Sequence, residues 1–288
     1  MLTLDALTQK IKDLPPLPDV VVKLLEASRD PNVALRDMVE LIRIEPALTI
    51  KVLRLCNSSY YGLPRKINSL QEALVYIGTD TLVNFILAGS LSAFYRQSQD
   101  GYGLAAGELW RHSVGCAIAS QQLAADGDEA DRAEAFTAGL LHDVGKIILN
   151  SYITAEFQEI RAIVMTQDLS FEQAERDVLG FSHTDAGAEM AKFWNLPDSL
   201  VEAIAFHQDP VRSTEHKRLV SQVHLGNLVC VSFGIGLGND GLAYSFHPVA
   251  MNEIGLEVPD LYRLSLDVHE EFNKAQELVG LAAKAVAA

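Results

Sequence analysis

AFTAGLLHDVGKIIL, residues 135–149, is the stretch on which fold and chemistry both turn. It reads as part of one apolar helix over about 133–150, with His142 next to Asp143 on it. Neighbouring positions on a helix lie about 100° apart, so these two side chains flank a shared point. An imidazole nitrogen with a carboxylate oxygen suits a divalent iron, manganese or zinc ion. A carboxylate in an apolar helix is costly to bury alone, so something must compensate Asp143. These two residues by themselves fit equally well a salt-bridged aspartate beside a hydrogen-bonded core histidine.

Outward from this stretch the pattern stays helical. Leu4, Leu7, Ile11 and Leu14 mark a first amphipathic helix stopped by Pro15 and Pro16. Val21, Leu24 and Leu25 mark a second that ends near Asp30-Pro31, and Leu35, Met38, Val39 and Ile42 a third. Pro46 suits the first position of a fourth, carrying Leu48, Val52, Leu53 and Cys56 until Asn57-Ser58-Ser59-Tyr60-Tyr61-Gly62. Ser69 with Glu72 reads as a capping box opening a helix that Gly78 closes, and another helix follows over about 79–95. Nothing in this half alternates with period two for long enough to make a strand. Arg96 to Gly107 is rich in Gly, Ser and Gln and divides the chain into a helical lobe over 1–100 and a second over 101–235. Helices are expected there at about 108–125, 133–150, 154–167, 171–179, 183–194, 198–208 and 214–232. A Gly-rich loop at 234–241 leads into a tail over 236–288, with a short helix after Pro248 and a longer one from Pro259 to about Ala285. The expectation is an all-α, two-lobed protein.

Apolar residues make up 49% of the chain, enough for a substantial core, and the formal charge is −15. No basic face exists, which disfavours nucleic acid and anionic membrane as partners, since both are bound chiefly through positive charge. Cys56, Cys116 and Cys230 are far apart with apolar neighbours and read as buried free thiols of a reducing compartment. The first residues have no signal-peptide core, and no segment approaches the roughly 20 apolar residues that span a bilayer, so a cytoplasmic location is expected.

Three further histidines join the pair. His112 follows Leu109-Trp110-Arg111, His183 opens a helix before Thr184-Asp185, and His207 ends Ala203-Ile204-Ala205-Phe206. Each alone is more often structural than a ligand. Four on successive apolar helices, one beside an aspartate, are less easily read as structural.

The order of His112, His142-Asp143, His183 and His207 resembles the HD superfamily of metal-dependent phosphohydrolases. It is closer still to its HDOD branch, the HD-related output domains of bacterial signalling. LPPLPDVVVKLL at 14–25, EPALTIKVLRLCNSSYYG at 45–62, INSLQEALVYIG at 67–78 and AFTAGLLHDVGKIIL at 135–149 carry the resemblance. HTDAGAEMAKFWNLPDSLVEAIAFHQ at 183–208 and LVSQVHLGNLVC at 219–230 continue it.

The resemblance implies metal-facing roles for His112, His142, Asp143, His183 and His207. Lys146 matches a phosphate-neutralising lysine, although its residue type also fits the last turn of a helix, where positive charge is welcome. Two departures stand out. Asn227 falls where active HD enzymes place a final aspartate, and an amide cannot supply that charge; His224, one turn earlier on the same helix, has a spacing that fits a compensating ligand and a core histidine equally well. The Gly-Tyr-Pro signature of the cyclic-di-GMP-hydrolysing branch is absent, the chain reading Gln208-Asp209-Pro210 after His207. The implied role is therefore a non-catalytic signalling module acting on a partner protein, with a metal or phosphate ligand retained. The alternative is a phosphohydrolase of nucleotides or other phosphoesters, with Asp185 or Asp209 as candidate bases. The tail helix, with Leu261, Leu264, Val268 and Phe272 on one face, packs on the body or on a second copy to give a homodimer.

Overall fold

The structure, a computed structural model, describes residues 4–12, 17, 19–27, 35–43, 46–57, 65–79, 81–84, 86, 95, 97–152, 156–167, 169–240, 244 and 246–285. Among these residues the protein is all-helical, and the only β element is an isolated antiparallel bridge between Gln99 and Leu104. The stops expected at Pro15-Pro16 and Asp30-Pro31, and the Ser58–Gly62 segment, lie outside the described residues. No helix among those described is long and apolar enough to cross a membrane.

The first five helices are α1 (Leu4–Ile11), α2 (Asp19–Ala27), α3 (Leu35–Arg43), α4 (Pro46–Cys56) and α5 (Leu70–Ile77). Their apolar stripes converge: Leu7, Ile11, Val21, Leu24, Met38, Ile42, Val52 and Leu74 are all buried. Asn57 closes α4 with its side chain, donating to the Leu53 and Ile67 carbonyls at 2.7 and 2.8 Å and accepting the Ile67 N–H at 2.8 Å. At α5 the Ser69 hydroxyl accepts the Glu72 N–H at 3.2 Å, as a capping box requires. The return bond is displaced by one residue, because Glu72 accepts from Asn68 instead of Ser69. Gly78 ends the helix at φ 78°, a conformation that favours glycine.

Among the described residues ten α-helices begin after residue 107: α6 (Glu108–Leu123), α7 (Glu129–Leu141), α8 (Val144–Tyr152), α9 (Glu156–Gln167), α10 (Phe171–Leu179), α11 (His183–Phe193), α12 (Asp198–Phe206), α13 (Lys217–Ser232), α14 (Val249–Ile254) and α15 (Val258–Ala285). The helix expected over 133–150 is two helices. It begins earlier, at an Asp128–Asp131 capping box, and breaks at His142-Asp143 into α7 and α8. The break aims α8 at α11, where a Cβ on Gly145 would sit 1.9 Å from the His183 carbonyl oxygen. Gly187 completes the contact from the other side, where a Cβ would lie 3.2 Å from the Gly145 nitrogen. Glycine is required at this backbone-to-backbone approach, and it sets His183 directly against the His142-Asp143 turn.

Tertiary hydrogen bonds fasten residues between α5 and α6 to this set. Thr137 on α7 donates to Asn84 at 2.8 Å, and Tyr95 donates to the Leu140 carbonyl at 3.2 Å. The hydrophobic cluster that contains Leu7 and Leu24 is the same one that contains Leu141 and Ile204, and α1 packs on α11. The tail helix α15 lies on the body, with Val268 and Phe272 buried against α6. Cys56, Cys116 and Cys230 are buried free thiols.

Candidate metal centre

Four helix ends and one helix interior deliver the site. His112 stands in α6, His142 caps α7, Asp143 is the turn before α8, His183 begins α11 and His207 caps α12. All five are buried, none more than 5% exposed. Their geometry centres on the Asp143 carboxylate. Its Oδ2 lies 3.3 Å from His142 Nε2 and 3.6 Å from His112 Nε2, and its Oδ1 lies 3.6 Å from His183 Nε2 and 3.7 Å from His207 Nε2. The rings crowd together, with His142 edge-on to His207 at 4.8 Å between centroids.

Every outer nitrogen is spoken for. His142 Nδ1 donates to the Gly139 carbonyl at 2.7 Å and His207 Nδ1 to the Ile204 carbonyl at 2.9 Å. Both acceptors belong to the last turn of a helix, whose carbonyls lack helical partners. His112 Nδ1 donates to the Ile235 carbonyl at 2.9 Å. His183 Nδ1 donates to Glu175 Oε2 at 2.5 Å, and the His183 backbone N–H meets the same oxygen at 2.9 Å. A carbonyl or carboxylate can only accept, so each Nδ1 carries a proton and each Nε2 keeps its lone pair on the inner side when the ring is neutral, that of His207 also accepting from the Gln208 amide at 3.3 Å. Orienting the far nitrogen in this way is how proteins hold metal-ligating histidines.

Charge is distributed unevenly. Burial alone would raise the Asp143 carboxyl, but His142 and Lys146 beside it hold it well below the usual carboxylate range. Burial alone would lower His142, yet Asp143 pushes it up to about 10, so a cation competes with a proton there. Burial keeps His207 well below its ordinary value, helped by the neighbouring His142. Two triads, His112–His142–Asp143 and Asp143–His183–His207, each bring their ligand atoms within 4.8 Å of one another and could hold a metal ion. The donor set passes a stricter test too. His142 Nε2, His183 Nε2 and Asp143 Oδ1 are buried without a hydrogen-bond partner among the described residues, as atoms reserved for a cation would be.

The other residues singled out by sequence have different places. Lys146 is in the first turn of α8 and 2% exposed, so the solvated lysine of a final turn is not what forms; its Nζ donates to Asp143 Oδ2 at 2.5 Å and to Asp240. His224 does not stand in for the final aspartate. Its Nδ1 donates to the His207 carbonyl at 2.8 Å and its Nε2 accepts the His247 N–H at 3.1 Å, so both nitrogens are committed outside the centre. Asn227 is buried on α13 beside the Tyr244 hydroxyl. Asp185 caps α11 and pairs with Arg176 at 2.6 Å. Two further residues contribute that motif reading does not reach. Glu175, 0% exposed, accepts from His183 and from the Tyr102 hydroxyl at 2.5 Å, and Asp240 reaches back from the Gly-rich loop. A signal for Glu175 exists, since it shares the buried face of α10 with Phe171, Ala174 and Val178.

These features define a helical HD-like protein with a buried histidine–carboxylate centre. The HDOD domain model matches residues 14–210, and the chain belongs to that family. An uncharacterized protein of Treponema pallidum (strain Nichols) is 27% identical over 225 residues, covering 77% of this chain and 43% of its own. The chain thus spans less than half the length of that curated relative. An HDOD domain protein of unknown function from Geobacter sulfurreducens superposes with a TM-score of 0.71 at 25% identity, covering 98% of this chain and 96% of its own. A protein of Marinobacter aquaeolei VT8, provisionally named for signal transduction, shares the fold with a TM-score of 0.77 at 21% identity, covering 97% of this chain and 61% of that one.

Proposed function

We propose that the chain is an HDOD signalling module that holds one divalent metal ion in the four-histidine centre and acts through a partner protein, without turnover. The carrying observation is the convergence of four Nε2 atoms on Asp143 while every Nδ1 is bonded outward. His112, His142, Asp143, His183 and His207 would hold the ion, and nitrogen-rich donors with one carboxylate suit iron, manganese or zinc. Bound there, the ion would supply fixed positive charge and Lewis acidity at the meeting point of α6, α7, α8, α11 and α12. Each unpaired polar atom of the kind found at His142 and His183 costs about 1–3 kcal/mol, which ligation would recover.

Enclosure of the centre favours a scaffold over a catalyst, because a substrate would have to reach residues that are 0–5% exposed. Asn227 in place of a final carboxylate points the same way. The partner is expected to be a signalling protein, with a second copy of the chain as the other candidate. Cytoplasmic function accords with the free buried thiols.

The test is elemental analysis of purified wild type and His142→Ala after anaerobic reconstitution with iron, manganese or zinc. One equivalent in wild type and a loss in the variant is the expected result; no metal in either sinks the proposal. A second reading, phosphoester hydrolysis, is favoured by one observation, the Lys146 ammonium 2.5 Å from Asp143. Turnover of a nucleotide and phosphoester panel with manganese or iron, abolished by Asp143→Ala, would replace the scaffold reading with it.

A further inference from the structure

The segment leaving α13, Gly234–Asp240, runs back across the centre as a strap. Its Ile235 carbonyl is the acceptor for His112 Nδ1 at 2.9 Å. Gly236, at φ 59°, lies so close to α6 that a Cβ would come 2.3 Å from the Glu108 carbonyl oxygen. A Cβ on Gly238 would meet the Tyr102 carbonyl oxygen at 2.4 Å. At the end of the strap, Asp240 Oδ2 accepts from Lys146 Nζ, and the same ammonium donates to Asp143 Oδ2 at 2.5 Å.

A carboxylate–ammonium–carboxylate chain therefore leads outward from the metal ligands. Side-chain exposure rises along it, from 0% at Asp143 through 3% at Lys146 to 17% at Asp240. Asp240 is its outermost link. The other oxygen of Asp240, Oδ1, is buried without a hydrogen-bond partner among the described residues, so the strap leaves this carboxylate half satisfied. A partly satisfied buried acceptor is a costly arrangement and a poor anchor. The strap is otherwise tied near its start, by the Ile235 carbonyl at His112, the Gly234 and Ile235 N–H groups on the Val231 and Cys230 carbonyls at 3.0 and 2.9 Å, the buried Ile235 side chain and close glycine contacts.

An ammonium next to a divalent cation is a place for a small oxyanion, because the two positive charges act on it together. Here a carboxylate of the chain itself fills that place. We infer that Asp240 is a built-in competitor: an oxyanion of the phosphate type binds beside Lys146 by displacing Asp240 and lifting the Gly234–Asp240 strap from α6. The inference rests on the metal-holding reading above, since the ion supplies one of the two positive charges. Gly234 and Gly236, at φ 66° and 59°, give the strap the backbone freedom to move. Because Ile235 is also the partner of His112, lifting the strap would free one ligand ring and carry the signal of anion binding into α6.

The test uses the full manganese-loaded chain and inorganic phosphate as probe, with manganese content measured on every sample. Calorimetric titration should show Asp240→Asn binding phosphate about tenfold or more tightly than wild type, because the internal competitor is gone. The Lys146→Gln, Asp240→Asn double variant should lose that gain. In wild type, without any substitution, saturating phosphate should speed amide exchange across 234–240. Equal phosphate affinity in wild type and Asp240→Asn, a gain that survives the double variant, or exchange over 234–240 unmoved by phosphate overturns the inference while the metal site stands. A wild-type protein that takes up none of manganese, iron or zinc overturns both.

Discussion

Replacing Glu175 with glutamine should loosen the centre without touching any ligand. The carboxylate is wholly buried and accepts three hydrogen bonds, from the Tyr102 hydroxyl at 2.5 Å, His183 Nδ1 at 2.5 Å and the His183 N–H at 2.9 Å. An amide of the same size has one accepting oxygen. If that oxygen faces Tyr102, its NH2 opposes Nδ1–H and drives the ring proton to Nε2, where the lone pair is needed. If it faces His183, the hydroxyl must reverse and the charge assistance is lost. Glu175 is also what raises His183 against the lowering effect of burial, so the variant makes the ring a weaker base. Losing such an outer partner typically costs roughly 10- to 100-fold in metal affinity, or about 1.4–2.7 kcal/mol. Competition with a chromogenic chelator for zinc would measure it. Glu172→Gln is the control, since Glu172 lies on the same helix but pairs with Arg176, at 2.5 Å, rather than with a ligand ring. A Glu175→Gln affinity within about threefold of wild type would refute the reasoning and leave packing alone as what holds His183.

Gly145→Ala would push a methyl to 1.9 Å from the His183 carbonyl oxygen, backbone against backbone. A loss of roughly 3 kcal/mol is expected in chemical denaturation, and an unchanged midpoint would show that α8 and α11 can part cheaply. Phe272→Ala empties a site 1% exposed beneath Arg111 and should cost about 3–5 kcal/mol; a smaller loss would mean that α15 docks without it. For pH, burial lowers His224 from 6.5 to about 4. Its folded value is depressed, so the unfolded chain binds the proton first. Stability should fall as pH drops from 6.5 towards 4, by up to about 3 kcal/mol, and level off below. His224→Gln should flatten that part of the stability profile, and a slope unchanged by the substitution would assign it elsewhere.

The helices are readable because their signals are local. Ser69, Gly78 and the stripe Leu7–Ile11 act within a turn or two of themselves. The break at His142-Asp143 is hidden for the opposite reason. Leu141, Val144 and Ile148 continue the apolar pattern straight through it, and the force that bends the chain is the contact of Gly145 with a residue 38 positions away. Likewise the four histidines that converge on Asp143 can be named from the family resemblance of their order. Asp240 cannot, because a loop has no periodicity to tell which side chain turns inward. His224 looks like a spare ligand only until the carbonyl of His207 is found at its Nδ1.

Tyr102 joins distant parts of the molecule in one side chain. Its hydroxyl holds Glu175, its ring stands edge-on to Phe157 at 4.9 Å, and Lys146 lies over it at 5.6 Å. Its own backbone belongs to a short 3₁₀ turn, where Asn150 accepts the Gly101 N–H at 3.2 Å. Whatever tugs on that turn must therefore change how firmly His183 is aimed. By thermodynamic reciprocity, an ion bound to His183 would resist the tug with equal free energy. A partner that pulls on residues 98–104 would feel whether the cage is full without ever touching it.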